Sequence, residues 1–229
     1  MINDPKYPTA TQASPWGRVQ PAMHTESDVA TYLKQVYALL ASSLIVAVAA
    51  GYVGMTLPFA REHPIILMLL MFGAMFLAFK VQNAATLFLF TGISGLALGP
   101  MIAHYVGAGM AGVVGQAAFM TGAVFTGLTF YSLTTKRDLS MMSGMLFAGL
   151  IVLVVGGLIN LFLHSTALSF AISAAGCVIF AGYILFETQQ LKAQPWAVSP
   201  PVAALSMYLN VVNLFTSLLR LLGILGGDE

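Results

Sequence analysis

Glu187 and the run Ser206, Asn210, Asn213, Ser217, Arg220 are the residues of this 229-residue chain whose types and spacing suggest chemistry. The five recur at steps of four, three, four and three, so on an α-helix they share one face. The positions opposite them are leucine, valine, methionine and phenylalanine. Inside a membrane such a polar stripe must face protein or water, because lipid satisfies no hydrogen bond. Two readings follow: amides and hydroxyls gluing neighbouring helices, each contact contributing roughly 0.6–2 kcal/mol, or the lining of a pathway. Glu187 closes the apolar run before Thr188-Gln189-Gln190, with Tyr183, Phe180, Gly176, Ser173 and Ser169 on its face. An acid at that depth is a candidate ion or proton site. The bland alternative is an interfacial glutamate touching water. Lys80 ends a different apolar run on the same expected side as Glu187, where the two could pair; the sequence leaves open whether they meet.

These residues sit in a chain made for lipid. Only 7% of residues are charged and 59% are hydrophobic, with mean hydropathy +0.88. A soluble domain carries roughly a quarter of its residues charged. A helix crosses about 30 Å of hydrocarbon with about 20 apolar residues. The sequence predicts seven spans: Tyr32–Leu57, Pro64–Phe79, Ala84–Tyr105, Ala111–Leu133, Met141–Leu163, Ala167–Phe186 and Pro201–Leu225. The second is the shortest. The cut between the third and fourth rests only on Gly107, Gly109 and Gly112. The runs are continuous rather than alternating, which argues against a barrel. The expected fold is therefore an all-α membrane protein, a seven-transmembrane-helix bundle with the polar-striped seventh helix at its centre.

Residues 1–28 are polar and hold Pro5, Pro8, Pro15 and Pro21; such a segment buries too little to fold alone and is expected to be a flexible cytoplasmic tail before a membrane domain at 29–229. No cleavable signal is expected. With the N-terminus cytoplasmic, Lys6, Arg18, Lys34, Lys80, Lys136, Arg137 and Lys192 fall inside and Arg61 and Arg220 outside, in accord with the positive-inside rule. The C-terminus then lies outside. A net charge of +1 leaves no basic patch for nucleic acid. Cys177 is the sole cysteine, so no disulfide framework is expected.

In the third span, Gly95 and Gly99 form a small-xxx-small pair before Pro100. Close helix packing is one reading; a hinge at Gly99–Pro100 is the other, since proline frees a carbonyl. His63, His104 and His164 fall in outer loops or helix ends without ligand spacing. No metal centre, Walker loop, dinucleotide fingerprint or intramembrane aspartate pair is expected, and an enzyme is not expected.

Four stretches, taken in order, carry a resemblance. They are Thr91-Gly92-Ile93-Ser94-Gly95 leading to Leu98-Gly99-Pro100; Thr134-Thr135-Lys136-Arg137-Asp138-Leu139-Ser140; Leu185-Phe186-Glu187-Thr188; and Ser206-Met207-Tyr208-Leu209-Asn210-Val211-Val212-Asn213-Leu214-Phe215. Over about Lys34 to Gly226 the chain resembles the Bax inhibitor-1 family and, within it, the bacterial YccA type. The resemblance implies a seven-helix inner-membrane protein that binds and modulates the membrane-anchored ATP-dependent protease FtsH. Other members of the family behave as pH-sensitive calcium leak channels, in which acids on the sixth and seventh helices share protons. The first of those acids matches Glu187, and the second falls at Asn210. Two close carboxylates titrate as a coupled pair, which one glutamate and one asparagine do not form. Calcium prefers 6–8 oxygens with carboxylates prominent. Calcium at Glu187 is therefore the one ligand the resemblance implies, at a weakened site. Protease modulation is the expected function, with the calcium leak as the alternative.

Overall fold

The computed structural model describes residues 26–227, so most of the expected tail lies outside the described residues. Eight helices follow in order: α1 (Glu26–Thr56), α2 (Pro58–Glu62), α3 (Pro64–Val81), α4 (Ala84–Gly107), α5 (Ala111–Thr134), α6 (Met142–Leu163), α7 (Thr166–Ala193) and α8 (Pro200–Gly226). Among the described residues there is no strand. All but the single-turn α2 are long and apolar enough to cross a membrane, seven in all. α1 opens at Glu26, so its first turn takes the last three residues assigned to the tail.

The boundaries have local causes. Proline starts α2, α3 and α8, where its missing N–H costs nothing. Asn83 caps α4 by accepting the Thr86 N–H at 2.8 Å, and Ser165 caps α7 through Leu168 N–H at 3.3 Å. The weak cut between the third and fourth spans is a true turn: Gly109 adopts φ +80°, a conformation that favours glycine. The short second span is α3, which reaches 18 residues, about 27 Å at 1.5 Å per residue.

α8 is the hub. It packs on α7, α5, α1 and α4, and 56% of its apolar window is buried against 11–33% for the other spans. Ala203, Ala204, Leu205, Met207, Tyr208, Leu214 and Leu219 are all buried. Phe90 of α4 meets Tyr208 edge-on at 6.0 Å, and the Tyr208 hydroxyl bonds Ser94 Oγ at 3.2 Å. The outer surface is the reverse of a soluble protein's, with Phe119 79% and Phe162 85% exposed. Apolar area on this scale fits hydrocarbon, not water. The chain is a multi-pass membrane protein.

α1 and α4 share the most extensive helix–helix contact, and glycine permits it. A Cβ on Gly95 would lie 2.9 Å from the Ala47 carbonyl carbon, and one on Gly99 would lie 2.6 Å from Met55 N. On the other helix, a Cβ on Gly54 would lie 3.0 Å from Leu96 Cα and would strike Leu96 O. Leu96 O is the carbonyl that Pro100 leaves without its helical donor, four residues on. Pro100 sits inside an unbroken α4, and its freed oxygen is packed against the Gly54 backbone. Gly99 and Pro100 therefore lie within a backbone-to-backbone seam.

Candidate functional site

α7 runs seven residues past the expected end at Phe186, to Ala193. Glu187 is therefore an interior helical residue rather than a helix-end one. It is partly buried, facing the polar stripe of α8. Asn210 Nδ2 donates to Glu187 Oε2 at 2.6 Å, and Ser206 Oγ donates to Oε1. Each carboxyl oxygen thus has one partner from α8. The donors stand one helical turn apart on α8, so one rotation of α8 aims both at the same acid.

The stripe continues along α7. Ser217 Oγ lies over Gly176, where a Cβ would come within 2.6 Å of it. Asn213 is half-buried and its side chain makes no hydrogen bond among the described residues. Arg220 is exposed at the far end of the stripe. Lys80 stands exposed at the end of α3, which packs on α4 and α2. It forms no ion pair with Glu187 among the described residues; the partners of the Glu187 carboxyl are Ser206 and Asn210.

Several members of the site were not singled out from sequence. The Tyr37 hydroxyl of α1 lies 3.4 Å from Thr188 Oγ1, beside Glu187. Ser132 Oγ of α5 donates to the Leu185 carbonyl at 2.8 Å. Gln189 ties the α5–α6 loop to α7: its Oε1 accepts Leu139 N–H at 2.7 Å, and its Nε2 donates to the Arg137 carbonyl at 2.5 Å. Lys192 Nζ donates to Leu133 O at the end of α5. The Glu-Thr-Gln-Gln run was visible only as polar residues closing an apolar run. Its partners, some fifty residues upstream, were not visible.

In the same loop Asp138 Oδ1 accepts the Ser140 N–H at 2.9 Å, which holds the exposed Asp138 carboxyl below its ordinary 3.8. A depressed carboxyl stabilises the turn above its unfolded value, and the contribution is lost as pH falls through the folded value. We expect the Asp138 carboxyl carbon to titrate, by NMR, below 3.8 in the intact protein and at the ordinary value in a peptide of residues 134–141. Equal midpoints would mean that the turn does not hold the proton off.

The residues at Glu187 do not fit a resident calcium ion. There is one carboxylate, both of its oxygens are taken by protein donors, and Asn210 presents its NH₂ rather than its oxygen. Among the described residues no three His, Cys, Asp or Glu side chains converge. Calcium needs 6–8 oxygens.

Fold and site together define a polytopic membrane bundle with an internal carboxylate held by neutral donors from its central helix. The family model described as inhibitor of apoptosis-promoting Bax1 matches residues 29–227. The chain belongs to this Bax inhibitor-1 family. It is 38% identical over 205 residues to a membrane protein of Vibrio cholerae, covering 86% of this chain and 91% of that one. To the Escherichia coli K12 protein named modulator of FtsH protease YccA it is 36% identical over 200 residues, again 86% and 91% of the two chains. To mouse protein lifeguard 4 it is 30% identical over 203 residues, 83% and 84%.

Proposed function

We propose that this protein is an inner-membrane modulator of the membrane-anchored ATP-dependent protease FtsH, with its N-terminus cytoplasmic and its C-terminus outside. The observation that carries the reading is the neutral partner of Glu187. Where channel-forming relatives would place a second acid, Asn210 donates a hydrogen bond at 2.6 Å. The site is thereby closed by protein donors. The full-length likeness to the Escherichia coli protein named as an FtsH modulator supports it. The connectivity also gathers Lys34, Lys80, Lys136, Arg137 and Lys192 at one end of the bundle and leaves Arg61 and Arg220 at the other, which supports the orientation.

In this reading residues 1–28, polar and bearing four prolines, give the protease an end to grip. The stretch before α1 at Glu26 would, fully extended, reach at most roughly 80–90 Å. The packed bundle resists extraction, so the protease is occupied and its other membrane substrates turn over more slowly. Deleting residues 1–28 is expected to restore turnover of a competing membrane substrate to the rate without this protein. Unchanged turnover would remove the tail from the mechanism.

The second reading is a calcium leak, with calcium as cargo. It is favoured by the Asn213 amide, a polar group along the stripe between Glu187 and Arg220 with no hydrogen-bond partner among the described residues. It predicts calcium flux into reconstituted vesicles that Glu187→Gln alters. Flux equal to that of empty vesicles, in both forms, eliminates it.

A further inference from the structure

At the end of the bundle opposite Glu187, Arg220 projects from α8 into a cavity of about 530 Å³. We propose that this cavity binds a phosphate-type oxyanion through the Arg220 guanidinium. The cation is permanent: a guanidinium keeps its proton in any protein. Among the described residues it forms no ion pair, and no carboxylate lines the cavity. Arg220 sits six residues before the end of α8 at Gly226, about 9 Å along the axis at 1.5 Å per residue. Arg220 is exposed at this end of the helix, so its guanidinium donors are open to a ligand entering the cavity.

The walls supply donors rather than acceptors of charge. Tyr105 of α4, His164 at the α6–α7 turn, and Ser169 and Ser173 of α7 line the cavity with Arg220. Asn160 holds the wall instead of facing a ligand. Its Nδ2 donates to Ser169 Oγ at 2.6 Å, and its Oδ1 accepts Ser165 N–H at 3.0 Å. Because Ser169 Oγ accepts from Asn160, its own proton is free to donate. Tyr105 is seated by Gly223, one turn after Arg220, where any Cβ would collide with the phenol ring. The absent side chain lets the ring lie across α8 beside the guanidinium. Arginine's planar fork matches the oxygens of a phosphate. The cavity is larger than a phosphate, and a lipid phosphodiester headgroup and a free phosphate present the same chemistry to it.

The test uses the full chain, delipidated in detergent. Phosphatidylglycerol and diacylglycerol adducts are measured by native mass spectrometry, and inorganic phosphate binding by calorimetry. Phosphatidylglycerol is expected to bind at least tenfold more tightly than diacylglycerol, and Arg220→Gln to remove that preference while Arg220→Lys keeps part of it. Tight lipid with weak free phosphate assigns the site to a headgroup; comparable binding of both assigns it to a soluble oxyanion. Gly157→Leu guards against a folding defect at Arg220. Gly157 lines the cavity, and a Cβ there meets nothing within 4 Å, so leucine fills the space and should also abolish binding. A wild type that binds phosphate weakly and does not prefer the phosphate-bearing lipid overturns the proposal. So do Arg220→Gln and Gly157→Leu chains that bind as the wild type does.

Discussion

A valine at position 95 is expected to lower the thermal unfolding midpoint in detergent by about 6–12 °C and to reduce the folded yield severalfold. Gly95 faces the α1 backbone, where even a Cβ would stand 2.9 Å from two Ala47 atoms. A flexible side chain could swing aside, but a helix backbone moves only with its whole helix. Overpacking a core costs about 1–3 kcal/mol, and this contact belongs at the upper end. At roughly 2–4 °C per kcal/mol for a chain of this size, the stated shift follows. Gly73→Ala is the control. Nothing lies within 4 Å of a Cβ there, so alanine should stabilise α3 by about 0.5–1 kcal/mol through lost backbone freedom. If the two variants melt alike, the α1–α4 seam is looser than described.

The second large effect is expected from Asn210→Asp. In place of an amide donating at 2.6 Å to Glu187, the variant presents a second carboxylate. Two unit charges 4 Å apart repel by about 4 kcal/mol at an effective dielectric of 20. The pair must therefore hold a proton or a cation between its members. Metal binding requires deprotonated ligands, so affinity rises with pH. Radiolabelled calcium should bind the variant at pH 8 and be released at pH 6, while the wild type binds at neither. Wild-type binding equal to the variant's would mean that Asn210 is not what keeps the ion out.

The seven spans were legible because hydrocarbon thickness imposes one length on every crossing helix. Proline and glycine then marked the turns at Pro64 and Gly109. The end of α7 was not legible. Its last residues are polar, and they stay helical because Thr188 meets Tyr37 of α1 and Gln189 binds the α5–α6 loop. Such partners are fifty to a hundred and fifty positions away, and no local pattern encodes them. The same limit applies to Glu187. The helical period placed Ser206 and Asn210 on one face, but not which neighbour that face meets.

The amino-acid order alone therefore determined that this chain spans a membrane seven times and which residues share the polar face of α8. Those properties depend on apolar length and the 3.6-residue period, which are local. Only the tertiary structure decided that Glu187 is held by Ser206 and Asn210 while Lys80 stays apart, that Gly99 and Pro100 lie in a seam of touching backbones, and that Arg220 opens into a donor-lined cavity. Each of these depends on the rotation and approach of helices distant in sequence, which is set by the summed packing of the whole bundle.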